Sequence, residues 1–358
     1  MAGRLVFLAP VALGAVLGIT TITACAAALE SATATASTDE ATVFVTSPFS
    51  SGPGSIREAI ERANASPAIK RIVSRLGAGT VVHVFRQLPT LSARGVELEA
   101  GGLTLKGGSC LRSDGRRGCD GLVVGGPGIT VRRLRATGFT FDGIAVRGSE
   151  ANRVRIEECE SFENRDDGVG VSHGATEVLI VGCRLERNGF RTKGKGVLVF
   201  DYSSAELRDN TIAGNRDGVT VSKRSRAKLI GNRIVDNYDK GLGVAGAEAT
   251  GRDNVIARNG IRGPNGEPGP NADGVRVTID STVILENCEI VGNGDVGVVV
   301  VGSSTVSLTG GRITGHSGAG VHARERSVVE LRGVEIADNA AGAFRIDGEA
   351  KLVRSDAH

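Results

Sequence analysis

The sequence predicts an all-β fold, a solenoid whose coils are short parallel strands. Three observations carry this. First, one motif recurs from residue 129 to residue 350. Residues 205–221 read A-E-L-R-D-N-T-I-A-G-N-R-D-G-V-T-V, and residues 227–244 read A-K-L-I-G-N-R-I-V-D-N-Y-D-K-G-L-G-V. Residues 283–300 read V-I-L-E-N-C-E-I-V-G-N-G-D-V-G-V-V-V. Second, the period is nearly fixed. The second Asn of the motif falls at Asn164, Asn188, Asn215, Asn237, Asn259, Asn293 and Asn339, with His316 and, in the first copy, Phe139 in the same slot. A sustained period of this size marks a stacked-repeat architecture. Third, apolar and polar residues alternate within each copy, which is a strand signal. Leu207, Ile212, Val219 and Val221 face one way; Glu206, Arg208 and Thr220 face the other. Coils of such strands pair in parallel about 4.8 Å apart. Each fully buried Leu, Ile or Val contributes roughly 1.5–3 kcal/mol. One coil cannot bury its own face, but a stack can.

Composition agrees and narrows the partners. The 358 residues include 52 Gly, as suits a fold of coils and turns. The formal charge of +3 gives no footprint for nucleic acid. There is no Trp and there are only two Tyr, which argues against a groove built on stacking aromatics.

Taken in order, residues 1–25 read as an export signal. Arg4 precedes an apolar run that ends Ile22-Thr23-Ala24-Cys25. That ending resembles a bacterial lipoprotein signal, which implies acylation at Cys25; ordinary cleavage near Ala26-Ala27-Ala28 is the rival reading. Residues 26–41 are rich in Ser, Thr and Ala and read as a flexible tether. Beyond the signal no apolar run is long enough to span a bilayer, so membrane attachment would be through the lipid anchor alone. By the same resemblance, the residue after Cys25 favours the outer membrane.

Residues 42–358 read as one domain. Its first part, residues 42–69, is an end cap. A short strand precedes a Gly/Pro turn, Ser55 and Glu58 form a capping-box pair, and Ile56, Ala59, Ile60 and Ala63 recur at helical spacing. Such a helix would plug the open end of the first coil, whose unpaired backbone otherwise invites edge-to-edge association. Irregular coils follow, with strands at 81–85, 96–98, 103–105 and 122–124. Cys110 and Cys119 bracket a polar loop and are expected to form a disulfide in an exported protein. Cys159, Cys183 and Cys288 share the first Asn/Cys slot of the motif and read as buried thiols, with a bridge between Cys159 and Cys183 on adjacent coils as the alternative. The Asn columns read as ladders bonding coil to coil, from a residue that tolerates left-handed turns. The last coils drift from the motif, and no strong C-terminal cap is visible.

These strands, the period and the segment S-G-P-G-S-I-R-E-A-I-E-R-A-N resemble the right-handed parallel β-helix family, the pectate-lyase-like fold. The resemblance implies handedness, and the solenoid is expected to be a monomer. It does not select a chemistry, because this fold hosts many. Asp166-Asp167 and Ser172-His173-Gly174 are similar to the carboxylates and His of polygalacturonases, without that family's other motifs. Asp142, Asp167, Asp217 and Asp273 each precede a turn Gly, which reads as turn chemistry first and calcium binding second. No cofactor or metal site is otherwise expected.

One feature stands out. The turn after the second Asn is long in two copies, at 189–195 (G-F-R-T-K-G-K) and 260–273 (G-I-R-G-P-N-G-E-P-G-P-N-A-D). Three coils separate them, about 14 Å. They are expected to wall a cleft floored by Arg216, Asp217, Tyr238, Asp239 and Lys240. Arg191, Lys193, Lys195 and Arg262 would make it basic, and Asp273 would join it. Tyr238, Lys240, Asp217 and Asp239 are the candidate catalytic residues. Two functions stay open: a cell-envelope binding or scaffold module, or a polysaccharide lyase, hydrolase or epimerase acting on an acidic, uronate-type glycan.

Overall fold

The computed structural model describes residues 42–112, 114–189, 193–260, 269 and 271–355. The expected solenoid is what these residues form. Three parallel sheets run the length of the stack, with 13, 11 and 10 strands among the described residues. Each regular coil contributes one strand to each sheet. In one coil these are Ser204–Arg208, Thr211–Ala213 and Asp217–Ser222, in the first, second and third sheets. Equivalent side chains stack in register: Leu207 on Leu229, Ile212 on Ile234, Val219 on Leu242. All six are buried, so the core is a set of aliphatic columns.

The corners explain how three short strands close a coil. Asp209, Asp236, Asp253 and Arg258 have φ between 53° and 57°. Each directly precedes an Asn of a ladder. The left-handed residue is therefore the one before the Asn rather than the Asn itself. A single αL residue turns the chain, and the Asn that follows points inward. There its amide reaches both neighbouring coils. Asn188, Asn215, Asn237 and Asn259 are linked Nδ2 to Oδ1 at 2.9–3.1 Å. A second ladder joins Asn210, Asn232 and Asn254.

The N-terminal cap is the helix Ile56–Ala65, with Ser55 accepting from the N–H of Glu58 at 3.2 Å. Glu58 in turn accepts from the N–H of Gly54. Ile56, Ala59, Ile60 and Ala63 are buried against the first coil. A strand not anticipated from the sequence, Arg71–Ser74, pairs with Thr42–Val45 and carries the first sheet past the helix. Its four residues are too short a run to betray a period. Cys110 and Cys119 are joined in a disulfide, and Cys159, Cys183 and Cys288 are buried free thiols. At the other end, Phe344 packs against the core under the Arg354 guanidinium, while Val353 is half exposed. No helix among the described residues is long and apolar enough to cross a membrane.

Candidate functional site

The corner between the second and third sheets holds a column of charged residues. The residue before each turn Gly is, coil by coil, Asp120, Asp142, Asp167, Lys195, Asp217, Lys240 and Asp273. The stacking explains the early acids. The N–H groups of Asp142, Asp167 and Lys195 face the preceding coil and need acceptors there. Asp120 Oδ1 accepts from Asp142 N at 3.1 Å, Asp142 Oδ1 from Asp167 N at 3.3 Å, and Asp167 Oδ1 from Lys195 N at 2.7 Å. Turn chemistry thus places three carboxylates in a row.

A further acid and one arginine turn this row into a cluster. Ligand oxygens of Asp142, Asp166 and Asp167 lie within 4.8 Å of one another. Asp142 and Asp167 are buried and Asp166 is partly open to solvent. Arg147 grips both Asp120 oxygens at 2.8–2.9 Å and reaches Asp142 Oδ2 at 2.8 Å. Burial pushes the Asp142 carboxyl up to about 7, against the pull of Arg147. Burial, then the Asp142 charge, pushes Asp167 well above the usual carboxylate range. The cluster therefore keeps a proton near neutral pH. Three carboxylates are also donors suited to a hard divalent cation. Here both Asp142 oxygens are already taken by an N–H and a guanidinium, so Arg147 supplies the positive charge.

Two glycines stand against the cluster. Gly170 stands beside the cluster on the outer face of the third sheet. A Cβ there would lie 2.4 Å from Asp142 Oδ2, so only Gly leaves that oxygen room. Gly194, near the end of the first long turn, lies against the Asp166 backbone, where a Cβ would meet the carbonyl at 2.2 Å. The first long turn therefore roots directly on the acid cluster.

The structure sorts the sequence-derived site residues. Arg191 and Arg262 lie outside the described residues, as does Cys25. Lys193 is exposed. Lys195 Nζ is 4.0 Å from Asp167, and Lys240 Nζ is 3.0 Å from Asp217 and 3.7 Å from Asp239. These lysines are matched by acids, so the net basic floor suggested by the sequence is largely neutralised in place. Arg216 stacks over the Tyr238 ring at 5.1 Å. Asp239 accepts from the N–H of Asn271 at 2.6 Å and fastens the second long turn to the stack. Gly269 of that turn packs on the Tyr238 backbone. Asp273 is sealed by Arg276 at 2.6–2.7 Å and is wholly buried. Both long turns thus root on the same flank, with Asp217 and Lys240 between them. His173 is exposed and, among the described residues, bonds its neighbour Ser172 at 2.9 Å. A groove of about 400 Å³ lies elsewhere, on the outer face of the first sheet, between charges that pair with each other, such as Arg226 and Glu248 at 2.9 Å. It contains no comparable cluster. Asp120 and Arg147 are site residues not anticipated from the sequence. The signal for Asp120 was present: it occupies the same pre-Gly slot as Asp142 and Asp167.

A family model described as "Right handed beta helix region" matches residues 120–267 and 269–357. No curated protein sequence matches the chain. Among solved structures, the chain is similar to the A-module of mannuronan C-5 epimerase AlgE4 from Azotobacter vinelandii, at 17% identity and TM-score 0.58, covering 85% of this chain and 95% of that one. It is similar to the catalytic unit of a thermostable GH87 α-1,3-glucanase from Streptomyces thermodiastaticus strain HF3-3, at 16% identity and TM-score 0.70, covering 88% and 69%. It is also similar to the periplasmic alginate epimerase AlgG (T265N mutant), at 12% identity and TM-score 0.53, covering 80% and 77%. Identities this low establish a shared fold.

Proposed function

This chain belongs to the right-handed β-helix family, and from that premise we propose that it is an enzyme acting on a polysaccharide laid along the outer face of the third sheet. The observation that carries the reading is the convergence of Asp142, Asp166 and Asp167 beside Gly170 on that face. Breaking a glycosidic bond needs one carboxyl that holds its proton near neutral pH and a second carboxylate close by. Asp142 is the proton donor in this reading, and Asp166, the member solvent reaches, is the carboxylate that acts on the other reactant. Arg147 holds Asp142 in place. The solved neighbours named for epimerase and glucanase activity lend support to an enzyme over a scaffold. Anchoring through Cys25 at the outer membrane remains part of the proposal; fatty-acid labelling lost in Cys25→Ser is its test.

The test is incubation with α-1,3-glucan and with uronate polymers, with and without calcium. New reducing ends indicate hydrolysis and unsaturated ends indicate elimination. Wild-type protein should form one product class and Asp166→Asn should not. A protein that binds these polymers and leaves every one intact and unepimerised would be the scaffold of the rival reading.

A further inference from the structure

Two buried side-chain oxygens have no hydrogen-bond partner among the described residues: Asp217 Oδ1 and Thr220 Oγ1. Both belong to one strand, Asp217–Ser222, in the third sheet. An unpaired buried polar group costs stability, so two on one strand of an outer face is an arrangement that asks for a partner. Asp217 is only 7% exposed, and its other oxygen is bound by Lys240.

The surroundings define what that partner would be. Thr220 stands in register between Leu198 on one coil and Gly243 on the next. Phe200 lies two residues beyond Leu198 on the same face. Leu198 and Phe200 thus give the pair an apolar flank. On the other side Gly243 has no side chain, and the Lys240 arm fills the space, its Cε 2.6 Å from where a Cβ would be. Thr220 Oγ1 is 3.7 Å from the same point, so the arm lies alongside the hydroxyl. An acceptor, a hydroxyl and an ammonium beside an apolar flank match one ring of a carbohydrate, which presents hydroxyls at its edge and C–H groups on its faces.

We propose that Asp217 Oδ1 and Thr220 Oγ1 form a subsite that seats one sugar unit through its hydroxyls, reached when the Lys240 arm swings off Gly243. The site lies two coils from Asp167, about 10 Å along the stack. It rests on the polysaccharide reading and deepens it: the acid cluster reacts, and this pair holds a ring further along the chain.

The test is calorimetric titration of the whole protein with two probes, a hexasaccharide of α-1,3-linked glucose and a hexasaccharide of mannuronate. Wild type should bind at least one. Thr220→Val, which keeps the shape and loses the hydroxyl, should bind that probe at least tenfold more weakly, and Thr220→Ser should stay within about twofold. Thr220→Val should melt no lower than wild type, because it removes an unpaired hydroxyl. Equal affinity of Thr220→Val and wild type overturns the subsite and leaves the polysaccharide reading standing. If wild type binds neither probe, the subsite and the polysaccharide reading fall together.

Discussion

Asn215 gives two hydrogen bonds to one atom: its backbone N–H and its Nδ2 both donate to Oδ1 of Asn237, at 2.9 and 3.1 Å. The same Nδ2 reaches back to the carbonyl of Leu185 at 2.9 Å. Its own Oδ1 serves Asn188 in the same double fashion. Replacing it strips partners from two neighbouring coils at a site with no exposed surface. Asn215→Ala should cost roughly 2–4 kcal/mol, counting unpaired groups and the void left behind. Denaturant unfolding measures it; an unchanged midpoint would mean the ladder is ornamental.

His316 fills an Asn position by imitation. Nδ1 accepts from the N–H of Asn293 at 2.9 Å, and Nε2 faces the Ile290 carbonyl at 3.0 Å. Only the neutral ring with its proton on Nε2 fits both, and burial holds its pKa below the ordinary value. A depressed histidine contributes stability above about pH 6.5 and loses it as pH falls through the folded-state value. His316→Asn should remove this acid sensitivity and raise the melting temperature relative to wild type near pH 5. Parallel melting curves for the two proteins from pH 8 to pH 5 would refute the tautomer assignment.

Asp142 works in the opposite direction. Its carboxyl titrates near 7 in the fold against an ordinary value of 3.8, so the folded state holds more protons between those limits. Its contribution is fully present below about pH 4 and drains away as pH rises to 7, by on the order of 1–4 kcal/mol. Asp142→Asn should flatten stability over that window and abolish turnover. A slope identical to wild type would show that the proton resides elsewhere.

Gly170 has an ordinary backbone conformation, so alanine there strains nothing locally. Its methyl would instead press on Asp142 Oδ2, 2.4 Å from the Cβ position. Gly170→Ala should lower activity at least tenfold while shifting the melting temperature by only a few degrees. Full activity in this variant would remove Asp142 from the chemistry.

How much could be read beforehand differs between fold and site. The columns of Leu207, Ile212 and Val219 repeat at a fixed interval, so stacking and strand direction follow from spacing alone. The shared flank of the two long turns follows too, since both interrupt the motif at one slot. What spacing hides is contact between coils. Arg147 meets Asp120 only because one coil step brings a strand end beside the preceding corner. Asp239 looks like a free acid until the coil carrying Asn271 is laid over it. The left-handed residue before each Asn was hidden differently. Asp236 and Arg258 share a conformation and carry opposite charges.

The register of the ladder has a practical meaning for the molecule's geometry. Asn215, Asn237 and Asn259 follow at equal separations of 22 residues, and each meets an identical partner. Cutting out one such interval would present Asn to Asn again, and the rungs on either side would close without a mismatch. The chain then behaves as a gauge with interchangeable blocks. Its span between Asp166 and the root of the second long turn can be shortened one notch at a time, and under the proposed polysaccharide reading the length of chain it accommodates should shorten with it.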